Sequence, residues 1–291
     1  MSLQQRIETV IAAATGAAAQ IDSSRAVGGG CIANARIVRL TDGRELFIKS
    51  GEHLRGCPRM FEAEFRALEL LARADAVRVP TAIGWDEDFL VLECFHTTSP
   101  APDWQERMGR ALARLHLATK TTRFGFERDN YLGATPQPNG WRESWSEFWG
   151  GQRLDWQLRL FAAKTVADDP LLAQGRRLLS RLDDLLGDIS EPAVLLHGDL
   201  WSGNAAAVED GGPIIFDPAS YYGHREAEFG MMRMFGGFDA RCEAAYQELW
   251  PFLPGAEERI CLYRLYHELN HLNLFGAGYY QRCISSMRQL L

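Results

Sequence analysis

The stretch His197-Gly198-Asp199-Leu200-Trp201-Ser202-Gly203-Asn204, followed by Pro213-Ile214-Ile215-Phe216-Asp217, gathers two carboxylates and an amide within a short span. Ala193-Val194-Leu195-Leu196 ahead of it reads as a short buried strand. The polar, glycine-bearing residues that follow cannot extend that strand, so a loop is expected at its end. The second apolar run then delivers Asp217. Transfer of a phosphoryl group from a nucleotide to a hydroxyl uses such a set. One Asp accepts the hydroxyl proton, an Asn five positions on holds a Mg²⁺, and a strand-borne Asp holds the metals that bridge the phosphates. Asp199, Asn204 and Asp217 fit those roles in that order. An isolated D-x-x-x-x-N is more often a plain turn, so the reading depends on what lies upstream.

Upstream, Ile21 to Val27 reads as extended and ends in Gly28-Gly29-Gly30-Cys31. Consecutive glycines let a backbone approach a ligand and aim its amides at phosphate oxygens. The strand pattern resumes from Cys31 to Leu40, so this loop joins two strands and opens no helix. That argues against a dinucleotide fold and for a hairpin lying over phosphates. Glu45-Leu46-Phe47-Ile48-Lys49 follows as a third strand, whose lysine is placed to grip phosphates. A lone strand lysine is otherwise an edge-protecting surface charge. Residues 58–74 read as a helix carrying Phe61, Phe65, Leu68 and Leu71 at helical spacing. Glu62 and Glu64 are both able to orient Lys49; Glu64, beside the apolar stripe, is favoured. Phe89-Leu90-Val91-Leu92-Glu93-Cys94-Phe95 passes from apolar residues into a polar exit, as a hinge offering backbone groups to adenine would, with Glu93 and Phe95 at the junction.

Thr97-Thr98-Ser99-Pro100-Ala101-Pro102 punctuates the chain. It separates a nucleotide-covering lobe, 1–96, from a catalytic and substrate lobe, 97–291. The second lobe reads as helices over 103–119, 143–164, 169–186, 225–235, 240–250, 256–275 and 277–290, with a long connection from 121 to 141. Connections of that length inside a domain are commonly functional. The expected fold class is α+β: a small antiparallel sheet with a helix, then a larger, mainly helical lobe.

The 291 residues carry a net charge of -7, with 46% hydrophobic and 24% charged residues. This is the composition of an ordinary globular protein, and it gives no electrostatic footing for nucleic acid or an anionic membrane. No stretch approaches the roughly 20 apolar residues of a membrane span. Six cysteines without metal-like spacing fit a reducing compartment, and a cytoplasmic location is expected. His267-Glu268-Leu269-Asn270-His271 is a literal H-E-x-x-H, in which His267 and His271 would bind zinc and Glu268 would serve as base. It has no third ligand at a familiar spacing and is set aside as a zinc-hydrolase alternative.

Taken together these residues resemble the fructosamine-3-kinase, or ketosamine kinase, family, a branch of the protein-kinase-like fold near the aminoglycoside phosphotransferases. The resemblance rests on Gly28 through Ile32, Lys49, Met60 through Glu64, Phe124-Gly125-Phe126, Asn130-Tyr131-Leu132-Gly133 and Pro136-Gln137. It continues through His197 to Asn204, Asp217-Pro218-Ala219-Ser220, Tyr222-Gly223-His224 and Asn270-His271. It implies ATP-dependent phosphorylation of the sugar 3-hydroxyl of ketosamines, whose phosphorylated adducts break down, so that the reaction removes glycation. The implied roles are Asp199 as base, Asn204 and Asp217 as Mg²⁺ ligands, and Lys49 as phosphate anchor held by Glu64. Trp201 and His271 fall at the substrate, and Cys31 is implied as a redox switch between a monomer and a disulfide-linked homodimer. Asp-Pro-Ala stands where protein kinases have Asp-Phe-Gly, and no Ala-Pro-Glu follows, so activation-loop switching is not expected. The alternatives are a kinase of this fold acting on another hydroxylated amine, such as an aminoglycoside, and a nucleotide-binding pseudokinase.

Overall fold

Strand alternation organises the first third of the chain. The computed structural model describes residues 1–28, 34–51, 57–187 and 189–291. After helix α1 (Leu3–Thr15), strands β1 (Ile21–Val27), β2 (Asn34–Leu40) and β3 (Glu45–Ser50) precede helix α2 (Met60–Arg73), and β4 (Ala82–Asp86) and β5 (Phe89–Glu93) follow it. The five strands form one antiparallel sheet in the order β1-β2-β3-β5-β4. Leu46 and Ile48 of β3 pack with Val38, Leu40, Phe89 and Val91 under Ile7 and Ile11 of α1. Because side chains alternate across a strand, Phe47 and Lys49 take the opposite face. There their partners Leu92 and Leu90 meet Phe61, Leu68 and Leu71 of α2. A slip of one residue would turn the lysine under α1. A capping box of Ser2 and Gln5 starts α1. Arg6 fastens the helix to the β4–β5 turn through Asp86 and, at 2.6 Å, Asp88.

The remainder is built on helices. Helix α3 (Trp104–Ala118) comes first, then a small hairpin, β6 (Asn130–Leu132) with β7 (Thr135–Gln137), inside the connection expected as irregular. The helix expected over 143–164 is α4 (Trp145–Trp149) and α5 (Asp155–Ala162), joined by a π-helical turn, Gly150–Leu154. The helix expected over 169–186 divides into α6 (Pro170–Leu179) and α7 (Leu182–Leu186). The break falls at Ser180, whose hydroxyl turns back onto the Arg177 carbonyl and competes with the helical hydrogen-bond ladder. Two short antiparallel ladders follow: β8 (Val194–Leu196) pairs with β11 (Tyr221–Gly223), and β9 (Ala205–Ala207) with β10 (Pro213–Ile215). Helices α8 (Ala227–Met232), α9 (Ala240–Gln247), α10 (Ala256–Phe275) and α11 (Tyr280–Leu290) complete the chain, and a 3₁₀ turn opens the segment expected as helix from 277.

Thirteen of the twenty residues of α10 are buried, which makes it the central post of the helical part, apolar on most sides. One continuous apolar cluster runs from Phe61 and Leu92 through Met108, Leu196 and Tyr263 to Leu290, so the sheet and the helices share a core. Among the described residues, no helix is long and apolar enough to cross a membrane.

Candidate active site

The β8–β9 loop holds Asp199 and Asn204, and the chain between β10 and β11 holds Asp217. The two segments are laced together. The His197 ring nitrogen Nε2 donates to the Phe216 carbonyl at 2.9 Å, the Ala219 amide donates to the His197 carbonyl at 2.9 Å, and the Phe216 amide donates to the Asn204 carbonyl at 3.0 Å. Burial lowers the His197 pKa, and its Nδ1 accepts the Asp199 amide at 3.3 Å. The approach is so close that position 198 must be glycine: φ is +82°, and a Cβ there would lie 2.3 Å from the Ala219 carbonyl oxygen.

Glu228 of α8 fixes the start of the catalytic loop from below. Buried, it accepts the amides of His197 at 2.6 Å and Gly198 at 3.0 Å. A second support is the β6–β7 hairpin. Asn130 donates to the Ser220 carbonyl at 2.8 Å and Gln137 to the Ala219 carbonyl at 3.1 Å, and Gln137 and Asn139 also donate to the Asn130 side chain. Arg153, buried on the π-helical turn among Phe148, Tyr221 and Tyr266, donates to Asn139 at 2.6 Å. This explains why Asn130, Pro136 and Gln137 recur in the motif set: they hold the Asp217–Ser220 loop.

At the centre, the Lys49 ammonium lies 2.6 Å from Glu64 and 2.5 Å from Asp217. The choice between two glutamates is decided: Glu62 instead pairs with Arg128 at 2.6 Å. Burial alone would lower the Lys49 pKa, but Asp217 and Glu64 more than offset it and raise it above the usual lysine range. Glu64 is itself raised, by burial and by the charge of Asp217 against the pull of Lys49. Asp199 is raised well above an ordinary carboxyl, first by withdrawal from water and then by Asp217, while the hydrogen bond from Asn204 opposes the shift. Asn204 Nδ2 donates to the Asp199 carbonyl at 2.9 Å and to its carboxylate at 3.3 Å. Asp217 has φ of 61°, a left-handed backbone that side-chain-bearing residues seldom adopt outside sites where the surroundings enforce it. Neither Asn204 Oδ1 nor Asp217 Oδ2 has a hydrogen-bond partner among the described residues.

Beside Asp199 stands an aromatic wall. The Trp201 indole folds back over Gly203, where a Cβ would lie 2.2 Å from the ring, and meets Phe235 edge-on at 5.6 Å. Phe235 is 5.2 Å from His271, which also neighbours Phe275 and Tyr279. Trp201 and His271 were expected here; Phe235, between them, carried no local signal. The His271 nitrogen Nδ1 donates to the His267 carbonyl at 2.8 Å, which leaves Nε2 as an acceptor, and burial lowers the ring's pKa.

At the hinge, Phe95 packs on Phe216 at 5.5 Å. The Glu93 reading needs correction in part. Its amide donates to the Thr81 carbonyl at 2.9 Å and its carboxylate takes Arg78 at 2.8 Å and Thr81 at 3.0 Å, so neither is offered to a base. The amides of Phe95 and His96 have no partner among the described residues. Gly28 is exposed at the end of β1; Gly29, Gly30 and Cys31, with the redox role implied for Cys31, lie outside the described residues. His267, Glu268 and His271 do not form a ligand set. His267 is buried and pushed down to about 3, first by burial, and Glu268 accepts from Ser286 at 2.7 Å with Arg264 at 3.3 Å. Among the described residues, only Asp86, Glu87 and Asp88 group their ligand atoms, and two of them pair with Arg6.

The sequence model of the fructosamine kinase family matches residues 3–291. The chain belongs to the fructosamine kinase family. It is 40% identical to the chloroplastic protein-ribulosamine 3-kinase of Arabidopsis thaliana, covering 93% of this chain and 83% of that protein. It is 35% identical to the ketosamine-3-kinase of Mus musculus, covering 90% and 93%. A solved structure from Thermobifida fusca that carries the fructosamine-3-kinase name superposes with a TM-score of 0.88 at 33% identity, over 99% of this chain and 98% of that one. Macrolide and aminoglycoside phosphotransferases, at 11–16% identity and TM-scores of 0.60–0.61, share the fold alone. This member of the fructosamine kinase family is thus a kinase of α+β, protein-kinase-like fold.

Proposed function

We propose that the chain transfers the terminal phosphoryl group of ATP to the sugar 3-hydroxyl of ketosamines, fructosamine or ribulosamine adducts on amines, as the names of its relatives suggest. One observation carries the reading. Lys49, reaching from the sheet, meets Asp217, reaching from the helical part, at 2.5 Å, and Asp199 with Asn204 stands on the adjoining loop. In this reading residues 1–96 cover the nucleotide and 97–291 hold the chemistry, and Lys49, steadied by Glu64, grips the phosphates. Backbone amides at Phe95 and His96 are placed for the base, and the Gly28 hairpin covers the phosphates.

Asp199 accepts the proton of the attacking hydroxyl. Its raised pKa makes it a better proton acceptor than an ordinary carboxylate. The donor set fits a hard divalent cation: Glu64, Asp217 and Asp199 share one ammonium, and Asn204 Oδ1 and Asp217 Oδ2 are unclaimed oxygens. Asn204 and Asp217 would hold Mg²⁺, which neutralises charge on the phosphates. Trp201 and Phe235 present ring faces for the sugar's carbon skeleton, and His271 Nε2 accepts a hydroxyl or ammonium proton from the adduct. A cytoplasmic location is part of the same proposal, supported by the five described cysteines, all free thiols.

The test is a reaction with ATP and Mg²⁺ followed by ³¹P resonance on ribulose-lysine, fructose-lysine and an aminoglycoside panel. A new sugar 3-phosphate on the lysine adducts is expected. Transfer to aminoglycosides alone would overturn the substrate assignment. Asp199→Asn should bind nucleotide while kcat falls about 10²–10⁴-fold; unchanged turnover would remove Asp199 as the base.

A further inference from the structure

Arg107, Arg110 and Arg114 recur along α3 at a spacing that puts them on one face. With Arg78, from the connection between α2 and β4, they line an open cleft of about 400 Å³ whose other wall is Asp210, Gly212 and Pro213 at the β9–β10 turn. The chain is acidic, at -7, yet four guanidinium groups line this cleft against the single carboxylate of Asp210. Three of the arginines have partners: Arg107 with Asp210, Arg110 with Glu248 and Arg78 with Glu93, each at 2.8 Å. Glu93 and Glu248 do not line the cleft, and the Asp210 side chain is 69% exposed. Ion pairs this open to water hold little and exchange readily. Arg114 has neither a hydrogen-bond nor an ion-pair partner among the described residues.

Guanidinium forks match the tetrahedral oxygens of phosphate in pairs, and a doubly charged group gains from several of them at once. The cleft has room for more than the phosphate itself. We propose that it binds a small phosphate-bearing anion, a phosphate monoester or diphosphate on a compact skeleton, at a site separate from the transfer centre. The site adjoins that centre through the backbone: the Arg78 carbonyl accepts the Ile215 amide at 3.0 Å, two residues before Asp217.

Inorganic pyrophosphate is the probe, titrated by calorimetry into the full chain at constant ionic strength. Arg114→Gln should weaken binding about tenfold and the double variant Arg110→Gln, Arg114→Gln by about a hundredfold. Lys49→Met, which alters only the transfer centre, should leave this binding unchanged. Loss of binding in Lys49→Met with full binding in the arginine variants would overturn the proposal, as would no binding by wild type at millimolar pyrophosphate. Arg114 is exposed and unpaired, so its single variant keeps the fold and decides the matter if the double variant does not. None of these readings requires phosphoryl transfer, so a failure of the ketosamine assignment would leave the outcome legible.

Discussion

Glu191 takes two hydrogen bonds from Arg225, one from Trp250 and one from His224, and Glu226 takes two from Arg259 and one from the Leu253 amide. Around Lys49 the proportions are reversed. One ammonium serves Glu64 and Asp217, and Asp199 has only the amide of Asn204. The pKa shifts follow. Burial would push Glu191 up, but the hydrogen bonds from His224 and Arg225 bring it down to about 2, whereas Asp199 rises. The same residue types thus do two kinds of work. Where every carboxylate oxygen is matched, the cluster fixes the position of helices. Where negative charge exceeds positive, the cluster is electrostatically costly by itself and suited to receive cations and the groups they carry.

The comparison is broken most sharply at Glu191. Glu191→Ala leaves Arg225, 1% exposed, without its carboxylate and should cost about 3–5 kcal/mol in denaturant unfolding; a loss below about 1 kcal/mol would show that the scaffold cluster is not what holds that region. At the transfer centre, Lys49→Met should lower kcat/KM about 10²–10³-fold, because a charge aimed at the phosphates is lost. Nucleotide-dependent turnover close to wild type would remove Lys49 from the mechanism.

Glu228 lies between the two regimes, a buried scaffold carboxylate spent on the amides of the catalytic loop. Glu228→Gln can accept only one of the two amides, so kcat should fall about 10–100-fold while KM for ATP moves no more than about twofold. Equal falls in kcat for Glu228→Gln and for a surface control would mean the loop keeps its place without it. The smallest effect sharpens the contrast in sign. Since the folded-state pKa of Asp199 is raised, its ionised form works against folding at neutral pH, and that penalty vanishes as pH falls below the ordinary carboxyl value. Asp199→Asn should therefore raise Tm by on the order of 2 °C at about pH 7 and by nothing near about pH 3. Glu191, shifted the other way, contributes stability above its ordinary value and loses it as pH falls towards about 2. A lower Tm for Asp199→Asn at neutral pH would contradict the reading of an overcharged centre.

Periodicity and turn chemistry were enough to place most elements, because they are properties of neighbouring residues. Helix α10 runs over 256–275, the span its sequence indicates, and β3 turns Lys49 to the α2 face through alternation alone. The order of Lys49, Glu64, Asp199, Asn204 and Asp217 along the chain was legible for the same reason: each sits in a short stretch whose composition marks it.

The tertiary structure decided what depends on residues far apart in the chain. Glu64 and Glu62 lie on the same helix with similar neighbours, and only the position of Arg128, sixty-six residues on from Glu62, tells which faces Lys49. Glu228 reads as one more helix glutamate until His197 and Gly198 arrive above it. Phe235 joins Trp201 to His271 only because α8 delivers it between the catalytic loop and the end of α10. A chain sequence specifies local geometry through covalent neighbours, whereas charge balance and burial at a point are sums over whatever folding brings there. For this protein the chemistry was therefore written locally, and its electrostatics were set by assembly.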